Sequence, residues 1–469
     1  LKVSITTSKN LRSRLINIYF NLDYLDFINK DSSSSYNEIT VLTDQFTNLL
    51  QVVLKLSSDI ILLLFIASML IIISPDIFSF LFFVFLFLFL ANKIFFSKKI
   101  SNLGLKTNVL SETIFKNLKE GLSSYKQIKV LKKSKFIIEN IDNFLKKFSV
   151  LAINYNFYLT LIRYLIELII AITLIITANL IYKFNDQSDA IIILTIFGIS
   201  SIRALPLIIS LINSVNVLFY SKNAINRLYQ TLNLKKEFKT NKDLKFENDF
   251  EFSFLELKNV NFSYGKKEVL KNLNLKICKE DLVLITGSSG SGKTTLLDII
   301  CGLLRVKEGQ LIVNQENFGG KINSFTSKIY YLSQSNYVLN DTLEKNIAFG
   351  HSQVDTKKIK NIITLCGLED FYKKYLTYSE KNLGENASKV SGGEMQRIAL
   401  ARAFYSDKEI LVLDEFTSSL DKATEDKIIN TILELNKSKT IVIVSHNNTM
   451  EKIANKIFKM EKGNLIKIK

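Results

Sequence analysis

The first half of this 469-residue chain is dominated by long apolar runs, whereas the second half alternates short apolar runs with glycine-rich loops. Apolar runs with few charged residues span residues 60–73, 77–90, 165–181 and 190–218. The first two are shorter than the roughly 20 residues that cross a bilayer, so helices of a buried soluble core are the alternative. Apolar flanks from Leu49 and out to Phe96 lengthen both runs. We therefore predict four membrane-spanning helices.

Lysine placement predicts the orientation of these helices. Residues 98–147 are rich in lysine, whereas the turn at 74–76 has no basic residue and the connection at 184–189 is acidic. Basic segments next to membrane helices stay in the cytoplasm, so we place residues 98–147 and the C-terminal half there. The net charge of +17 could also indicate a nucleic-acid ligand. No recognition motif accompanies it, and anionic lipid explains a basic cytoplasmic face, so we predict no nucleic-acid partner.

A glycine-rich loop at residues 287–294 matches the phosphate-binding pattern G-x-x-x-x-G-K-[ST]. An apolar strand pattern precedes it at 281–286, and a helical pattern follows it at 295–300. The free N–H groups and the dipole of a helix N-terminus attract a triphosphate. Lys293 would contact the β and γ phosphates, and Thr294 would bind Mg²⁺. The predicted ATP contacts are Gly287, Ser288, Ser289, Gly290, Ser291, Gly292, Lys293, Thr294 and Thr295; the alternative is a chance glycine-serine loop.

Two adjacent carboxylates end a second apolar strand pattern at residues 410–415. Asp414 could hold Mg²⁺, and Glu415 could act as the general base that polarises the attacking water. Between the two motifs, Ser391 and a glycine pair precede another helical pattern, which predicts a second anion site.

These pieces, in this order, resemble the ATPase of ATP-binding cassette (ABC) proteins, with Ser391, Gly392 and Gly393 similar to their signature loop. The resemblance extends from about Phe254 to the C-terminus. It implies an all-α transmembrane domain of the ABC exporter type at 1–235, a linker at 236–252 and an α/β P-loop nucleotide-binding domain at 253–469. By this resemblance the cofactors are ATP and Mg²⁺.

The resemblance also assigns roles to residues outside the phosphate loop. Tyr264 is similar to the aromatic that stacks on adenine, although a plain strand tyrosine is the alternative. Gln334 is similar to the glutamine that binds the metal and joins it to the membrane domain, and His446 to the histidine that contacts the γ-phosphate. Further nucleotide contacts implied are Ser391, Gly392, Gly393, Glu394 and Asp421, and Gly384-Glu385 resembles an element typical of exporters.

Three residues depart from the family's pattern. Val390 stands where leucine is usual, Glu394 where glutamine is usual and Phe416 where a small residue is usual. None of them removes a phosphate ligand, so we expect functional sites, with the Glu394 carboxylate able to change the rate. Because the chain carries one ATPase, the resemblance implies a homodimer in which each ATP lies between Lys293 of one copy and Ser391 of the other.

ABC exporters have six membrane helices, and four are counted here. We expect the first two to lie upstream of Leu1; a compact four-helix permease is the alternative. Residues 11–43 resemble the cytoplasmic excursion that follows the second helix, and residues 121–129 resemble a coupling helix. The serine run at 32–35 predicts a flexible turn.

Ionisable residues in the membrane half indicate a substrate class. Arg163 and Glu167 lie four apart and can pair on one helix face. Arg163 could snorkel to the interface, or Arg163 and Arg203 could attract a phosphate headgroup. Residues 163–167, 125–129 and 340–350 resemble flippases of lipid-linked oligosaccharides. We predict such a flippase in the inner (plasma) membrane, with membrane lipid and an amphipathic substrate as partners; a multidrug, lipid or peptide exporter and a non-transporting membrane ATPase are the alternatives.

Overall fold

The computed structural model describes residues 2–73, 75–184, 187–237, 251–314, 316–317 and 323–469. The chain divides into two compact units, Leu1–Thr240 and Asn241–Lys469. Most of the predicted linker at 236–252 lies outside the described residues.

The first unit is helical throughout its described residues. Its helices are α1 Lys2–Phe20, α2 Tyr24–Asn29, α3 Ser32–Asn37, α4 Thr43–Ile73, α5 Pro75–Phe95, α6 Ser97–Ser123, α7 Tyr125–Val130, α8 Ser134–Phe184 and α9 Gln187–Glu237, with a π-helical turn at Glu38–Leu42 between α3 and α4. Proline is favoured at the first position of a helix, which accounts for the start of α5 at Pro75. The short helix α7 falls within the stretch that we expected to resemble a coupling helix. The predicted turn at 32–35 is wrong, because these serines belong to α3 and the Ser34 hydroxyl contacts Arg227.

Four helical stretches of the described residues are long and apolar enough to cross a membrane, in agreement with the predicted number. They lie within Ser32–Ile73, Phe78–Phe95, Ser134–Asn179 and Leu194–Asn233. Helices α8 and α9 have 51 residues each. At 1.5 Å per residue such a helix is about 75 Å long, more than twice the roughly 30 Å of the hydrocarbon core. Both helices must therefore extend well beyond the bilayer.

A buried ion network joins α1, the π-helical turn, α6 and α9. The Glu38 side chain is only 2% exposed, and its carboxylate accepts hydrogen bonds from the Tyr19 hydroxyl and the Thr231 hydroxyl. Arg227 donates through Nε to Glu38 at 3.0 Å and through Nη1 to Glu112 at 2.7 Å. A buried charge is tolerated only when it is paired and hydrogen-bonded, so these contacts fix the positions of four elements together.

Two further polar pairs connect α9 to its neighbours. The Ser210 hydroxyl donates to the Asp59 carboxylate at 2.6 Å, linking α4 to α9. The Asn92 amide donates to the Asn216 side-chain oxygen at 3.0 Å, linking α5 to α9. Polar groups among apolar helices are costly unless they find partners. Each pair therefore fixes the register of its helices.

The described residues of the second unit form two sheets. The strands are β1 Phe254–Tyr264, β2 Lys267–Cys278, β3 Leu282–Gly287, β4 Glu308–Val313, β5 Glu316–Asn317, β6 Ile329–Leu332, β7 Ile410–Asp414, β8 Thr440–Val444, β9 Lys456–Glu461 and β10 Asn464–Lys467. Strands β2-β1-β4-β5 form an antiparallel sheet. Strands β10-β9-β3-β8-β7-β6 form a second sheet, which is parallel except for β10 at its edge.

Helices lie in the segments that connect the strands of the second unit. They are α10 Lys293–Ile300, α11 Asn323–Thr326, α12 Leu343–Ile347, α13 Thr356–Leu365, α14 Glu369–Leu376, α15 Gly392–Ser406, α16 Lys422–Asn436 and α17 Asn448–Ile453, with a 3-10 turn at Glu385–Ala387. Every residue of β7 and β8 is buried. Strands buried on both faces are continuous apolar runs, which is the pattern that the sequence shows at 410–413 and 441–444.

Helices α6 and α9 cross closely at Gly104, where an added Cβ would lie 2.0 Å from the Tyr220 carbonyl oxygen. The clash is between the added Cβ and a backbone atom of the other helix, so one helix would have to move to relieve it. We expect Gly104→Ala to lower the free energy of unfolding by about 2 kcal/mol through overpacking, although alanine favours helices over glycine. Thermal unfolding of the detergent-solubilised protein measures this.

Gly198→Ala is the matched control, because a Cβ on Gly198, also within a long helix, would meet nothing within 4 Å. This variant should unfold at the parent temperature or above it. Equal melting temperatures for the two variants would contradict the close crossing.

Candidate active site

Four neighbouring parallel strands end at one edge of the larger sheet, and each is followed by a predicted site segment. Strand β3 ends in the phosphate loop, β8 precedes Ser445 and His446, β7 ends at Asp414, and β6 precedes Ser333 and Gln334. In register, Ile285 of β3 pairs with Val444 of β8, and Val444 pairs with Asp414 of β7. The structure thus brings four separated segments of the sequence to one edge.

The phosphate loop has a backbone that only glycine adopts without strain. Gly287, Gly290 and Gly292 have φ values of +146°, +76° and +110°, in the region that side chains disfavour. A Cβ on Gly287 would also lie 2.4 Å from the Met460 carbonyl oxygen. Gly292 is the residue that precedes α10, so Ser288, Ser289 and Ser291 lie in the turn that leads into this helix N-terminus.

Lys293 is held across the phosphate loop. Its Nζ donates to the Gly287 carbonyl oxygen at 2.6 Å and to the Ser288 carbonyl oxygen at 2.9 Å. The residue is 8% exposed, so its charge lies within the loop rather than out in solvent. A cation beside the first N–H groups of a helix favours a bound polyphosphate.

Thr294 and Asp414 form the predicted metal-binding pair. The Asp414 carboxyl is almost fully buried at the end of β7. Burial and the neighbouring Glu415 raise its pKa, while Lys293 and a hydrogen bond with the Thr294 side chain oppose that rise. A hydroxyl, a carboxylate and the nearby Gln334 amide are hard oxygen ligands of the kind that Mg²⁺ takes. The residues therefore fit the metal that the resemblance implies.

Glu415 has a left-handed backbone, with φ of +47°. Such a conformation costs a non-glycine residue on the order of 1–3 kcal/mol and is concentrated at functional sites. Its N–H donates to the Val444 carbonyl oxygen at 3.0 Å, and its carboxylate accepts from the Gln334 amide at 2.6 Å. His446 is exposed two residues after Val444, so it emerges at the same edge of the sheet.

The Ser391 loop starts α15 with a capping box. The Ser391 hydroxyl accepts from the Glu394 N–H at 3.3 Å, and the Ser391 N–H donates to the Glu394 carboxylate at 2.7 Å. Within the described residues, no hydrogen bond joins this loop to the phosphate loop. Gly392 and Gly393 form the first helical positions, where a Cβ on Gly393 would lie 2.9 Å from the Ser419 carbonyl oxygen.

Tyr264 and Asp421 lie at the ends of two other elements, β1 and α16. Tyr264 ends β1 and is 37% exposed, and its ring lies edge-on to that of Phe262, with centroids 5.1 Å apart. Asp421 caps α16 by accepting from the Thr424 N–H at 3.0 Å. Hydrogen bonds with the Thr424 side chain and then with this N–H lower the pKa of the Asp421 carboxyl. Thr295 is buried in the first turn of α10.

Sequence reasoning missed two buried polar residues beside these motifs. Asp298 on α10 is 4% exposed, and its Oδ1 has no hydrogen-bond partner among the residues that the structure describes. Burial and the Asp414 charge raise the pKa of Asp298 to about 6. Gln396 on α15 is 3% exposed. The available signal was a polar residue inside each apolar helical pattern, which is weaker than a motif.

Comparison with known proteins identifies sequences and structures that are similar to this chain. Residues 270–418 match the family model described as ABC transporter. The chain is 33% identical over 216 residues to an export ATP-binding/permease protein of Rickettsia prowazekii, covering 45% of this chain and 38% of the relative. It is 28% identical over 478 residues to an ATP-dependent lipid A-core flippase of Wigglesworthia glossinidia brevipalpis, covering 97% and 79%. The chain thus spans well under half of the Rickettsia relative that it matches.

A solved structure is similar to the whole described fold. The bacterial Atm1-family ABC exporter with ATP bound superposes with a TM-score of 0.88 at 17% identity, covering 99% of this chain and 82% of the other. At this identity the likeness concerns the fold.

The Glu394 carboxylate gives a prediction about nucleotide affinity. Glu394→Gln keeps a side-chain oxygen for the Ser391 N–H but removes a negative charge from a loop that we expect to face a triphosphate. We expect the apparent KM for ATP to fall roughly fivefold, as about 1 kcal/mol of exposed charge repulsion is lost. Steady-state ATP hydrolysis by the full chain measures it.

Glu394→Ala serves as the comparison, because it removes the charge and the reciprocal bond of the capping box together. Its KM should fall less than that of Glu394→Gln. A KM that stays constant or rises in Glu394→Gln would contradict an anion beside this residue.

Proposed function

We propose that this chain, which has the fold of an ABC exporter, is an ABC transporter that couples ATP hydrolysis to the movement of an amphipathic lipid across the membrane. The chain is a multi-pass protein of the inner membrane with a cytoplasmic ATPase domain, as its four apolar helices and its exporter relatives indicate. The observation that carries the ATPase proposal is the alignment of Lys293, Asp414, Glu415 and Gln334 at one sheet edge.

The geometry supports in-line attack of water on the γ-phosphate. The loop N–H groups and Lys293 would bind the β and γ phosphates, and the Glu415 carboxylate would accept the proton of the attacking water. The Gln334 amide holds that carboxylate from one side. Thr294, Asp414 and Gln334 would hold Mg²⁺, which when bound neutralises developing phosphate charge. The bond from the γ-phosphorus to the bridging oxygen then breaks, and ADP leaves with that oxygen.

A second copy of the chain would complete each ATP site. The Ser391 loop is an anion-binding helix start, yet within the described residues it shares no hydrogen bond with the phosphate loop of its own chain. One loop of each kind per chain suits a homodimer with two composite sites. The capping box keeps the Ser391 loop in its helix-start conformation before any nucleotide arrives.

A charged cavity in the membrane unit supports an anionic headgroup as part of the substrate. Its volume is about 420 Å³, and Lys55, Arg163 and Glu167 supply its charges. Arg163 pairs with Glu167 at 2.8 Å, as predicted from their spacing. The lining residues themselves carry two cations and one carboxylate, and the buried Asp59 carboxylate lies behind them on Ser210. Arg203 does not line it, so we now propose Lys55 rather than Arg203 as the second cation.

An apolar cavity adjoins the charged one and shares Leu205 with it. Its volume is about 370 Å³, and its lining comes from the apolar faces of α4, α5, α8 and α9. A charged cavity next to an apolar one suits a phosphate or pyrophosphate headgroup with a hydrocarbon chain. The lipid-linked oligosaccharide is therefore our leading substrate class. The apolar cavity alone would suit an uncharged amphipathic drug, which makes a multidrug exporter the second candidate.

We expect the reconstituted full-length protein to flip a labelled polyprenyl-pyrophosphate oligosaccharide in proteoliposomes when ATP is supplied. Glu415→Gln should abolish flipping and lower ATP turnover at least about a hundredfold, because the proton acceptor is lost. Glu434→Gln, which changes an exposed acid on α16, should keep both activities. ATP hydrolysis without flipping of that lipid would reject this substrate, and loss of neither activity in Glu415→Gln would reject the base.

The two arginines predict different responses to an anionic lipid. Arg163→Ala removes a cation from the charged cavity, so lipid-stimulated ATP hydrolysis should need roughly tenfold more polyprenyl pyrophosphate. Arg203→Ala should leave that concentration unchanged, because Arg203 lies outside the lining. Titration of stimulation by the lipid measures both. Equal responses of the two variants would contradict the cavity as the headgroup site.

A further inference from the structure

Gln396 connects the start of α15 to the segment that carries Glu415. It lies five residues after Ser391 and is almost completely buried. Its Nε2 donates to the Glu415 carbonyl oxygen at 3.0 Å and to the Ser418 hydroxyl at 3.5 Å. Its Oε1 accepts from the Ser419 N–H at 3.0 Å. Both ends of one amide are therefore used on the segment 415–419.

The backbone of Glu415 requires such support. Its φ of +47° is unfavourable for a side chain of this size, and a strained residue persists only where its surroundings over-determine it. The Val444 carbonyl oxygen holds the Glu415 N–H at 3.0 Å. On the other side of the residue, the Glu415 carbonyl oxygen accepts from Gln396 and from the Ser418 N–H at 3.3 Å. Removal of the Gln396 donor would leave the weaker Ser418 contact alone on that side.

We infer that Gln396 is a positioning residue, which sets the direction of the Glu415 carboxylate by holding the strained backbone beneath it. The inference rests on the proposed ATP hydrolysis. The alternative is that Gln396 only satisfies buried polar groups, as most buried amides do. That alternative predicts a loss of stability with an unchanged rate per folded molecule, so the two can be separated.

The same contacts make the rate at Glu415 depend on the Ser391 loop. Gly393 lies so close to Ser419 that a Cβ there would be 2.9 Å from the Ser419 carbonyl oxygen. Helix α15 therefore touches the segment 418–419 at two points, through Gly393 and through Gln396. A displacement of the N-terminus of α15, where the proposed partner nucleotide binds, would reach Glu415 through one side chain.

Two variants distinguish the hydrogen bonds of the Gln396 Nε2 from that of its Oε1. Gln396→Glu keeps an acceptor for the Ser419 N–H but places an oxygen against the Glu415 carbonyl oxygen. Gln396→Met has a similar length and removes all three hydrogen bonds of the amide. In full-length protein we expect kcat for ATP hydrolysis to fall about tenfold or more in each variant, the effect of one lost hydrogen bond at the reacting group, with KM for ATP within twofold of the parent value.

Thr440→Val is the matched control, because it also removes a buried hydrogen-bonding group. Thr440 is also almost completely buried, and its hydroxyl accepts from the Glu280 N–H at 2.9 Å, far along β8 from the site. This variant should lower the melting temperature while kcat stays at the parent value. The double variant Gln396→Met with Glu415→Gln should be no slower than Glu415→Gln alone, because both changes act through one carboxylate.

An unchanged kcat in both Gln396 variants would overturn the inference, as would an independent further loss in the double variant. If Gln396→Met does not fold, the kinetics of Gln396→Glu decide, since it keeps the Ser419 contact. Failure of the parent protein to hydrolyse ATP would instead refute the proposed function. If the parent protein hydrolyses ATP and both Gln396 variants keep its kcat, this inference is refuted and the proposed function is not.

Discussion

The parallel alignment of β3, β8, β7 and β6 is the constraint on which the candidate site depends. Parallel strands in register place their carboxyl ends at one edge, so loops more than a hundred residues apart in sequence, from Gly287 to His446, meet there. Strands β7 and β8 are buried on both faces, so a shift of one residue in their pairing would be costly. Such a shift would move Asp414 away from the end of its strand and out of line with Val444. The apolar core therefore determines the positions of the loop residues that form the candidate site.

The sequence predicted those parts of the site that rest on local chain chemistry. The glycines of the phosphate loop, the strand ending at Asp414 and the helix after Ser391 each have a pattern of a few adjacent residues. Asp298 and Gln396 could not be predicted in this way, because their significance comes from neighbours on other elements. The serine run at 32–35 fails for a related reason. Its composition favours a turn, but the long-range contact of Ser34 with Arg227 favours a helix.

In the membrane unit, too, local sequence patterns predict the elements, whereas contacts between elements cannot be predicted from them. Hydropathy predicts the number of helices and lysine placement predicts their orientation, since both are properties of the chain alone. The pairing of Asp59 with Ser210, and of Asn92 with Asn216, fixes helix register and cannot be seen in hydropathy. The charged cavity is another product of packing, because Lys55 and Arg163 come from different helices and meet only in the folded unit. Substrate proposals for such proteins therefore gain more from side-chain geometry than from helix counts.

Arg227 has a mechanical consequence for the first unit. One guanidinium satisfies Glu38, Glu112 and Ser34 at once, and Glu38 has little access to water that could replace it. Sliding α9 by even one residue, about 1.5 Å, would break charge-assisted bonds to two other elements together. The parts of α1, α6 and α9 that contact this network should therefore move together as one rigid body, so that a displacement applied to one of them is passed on to the others.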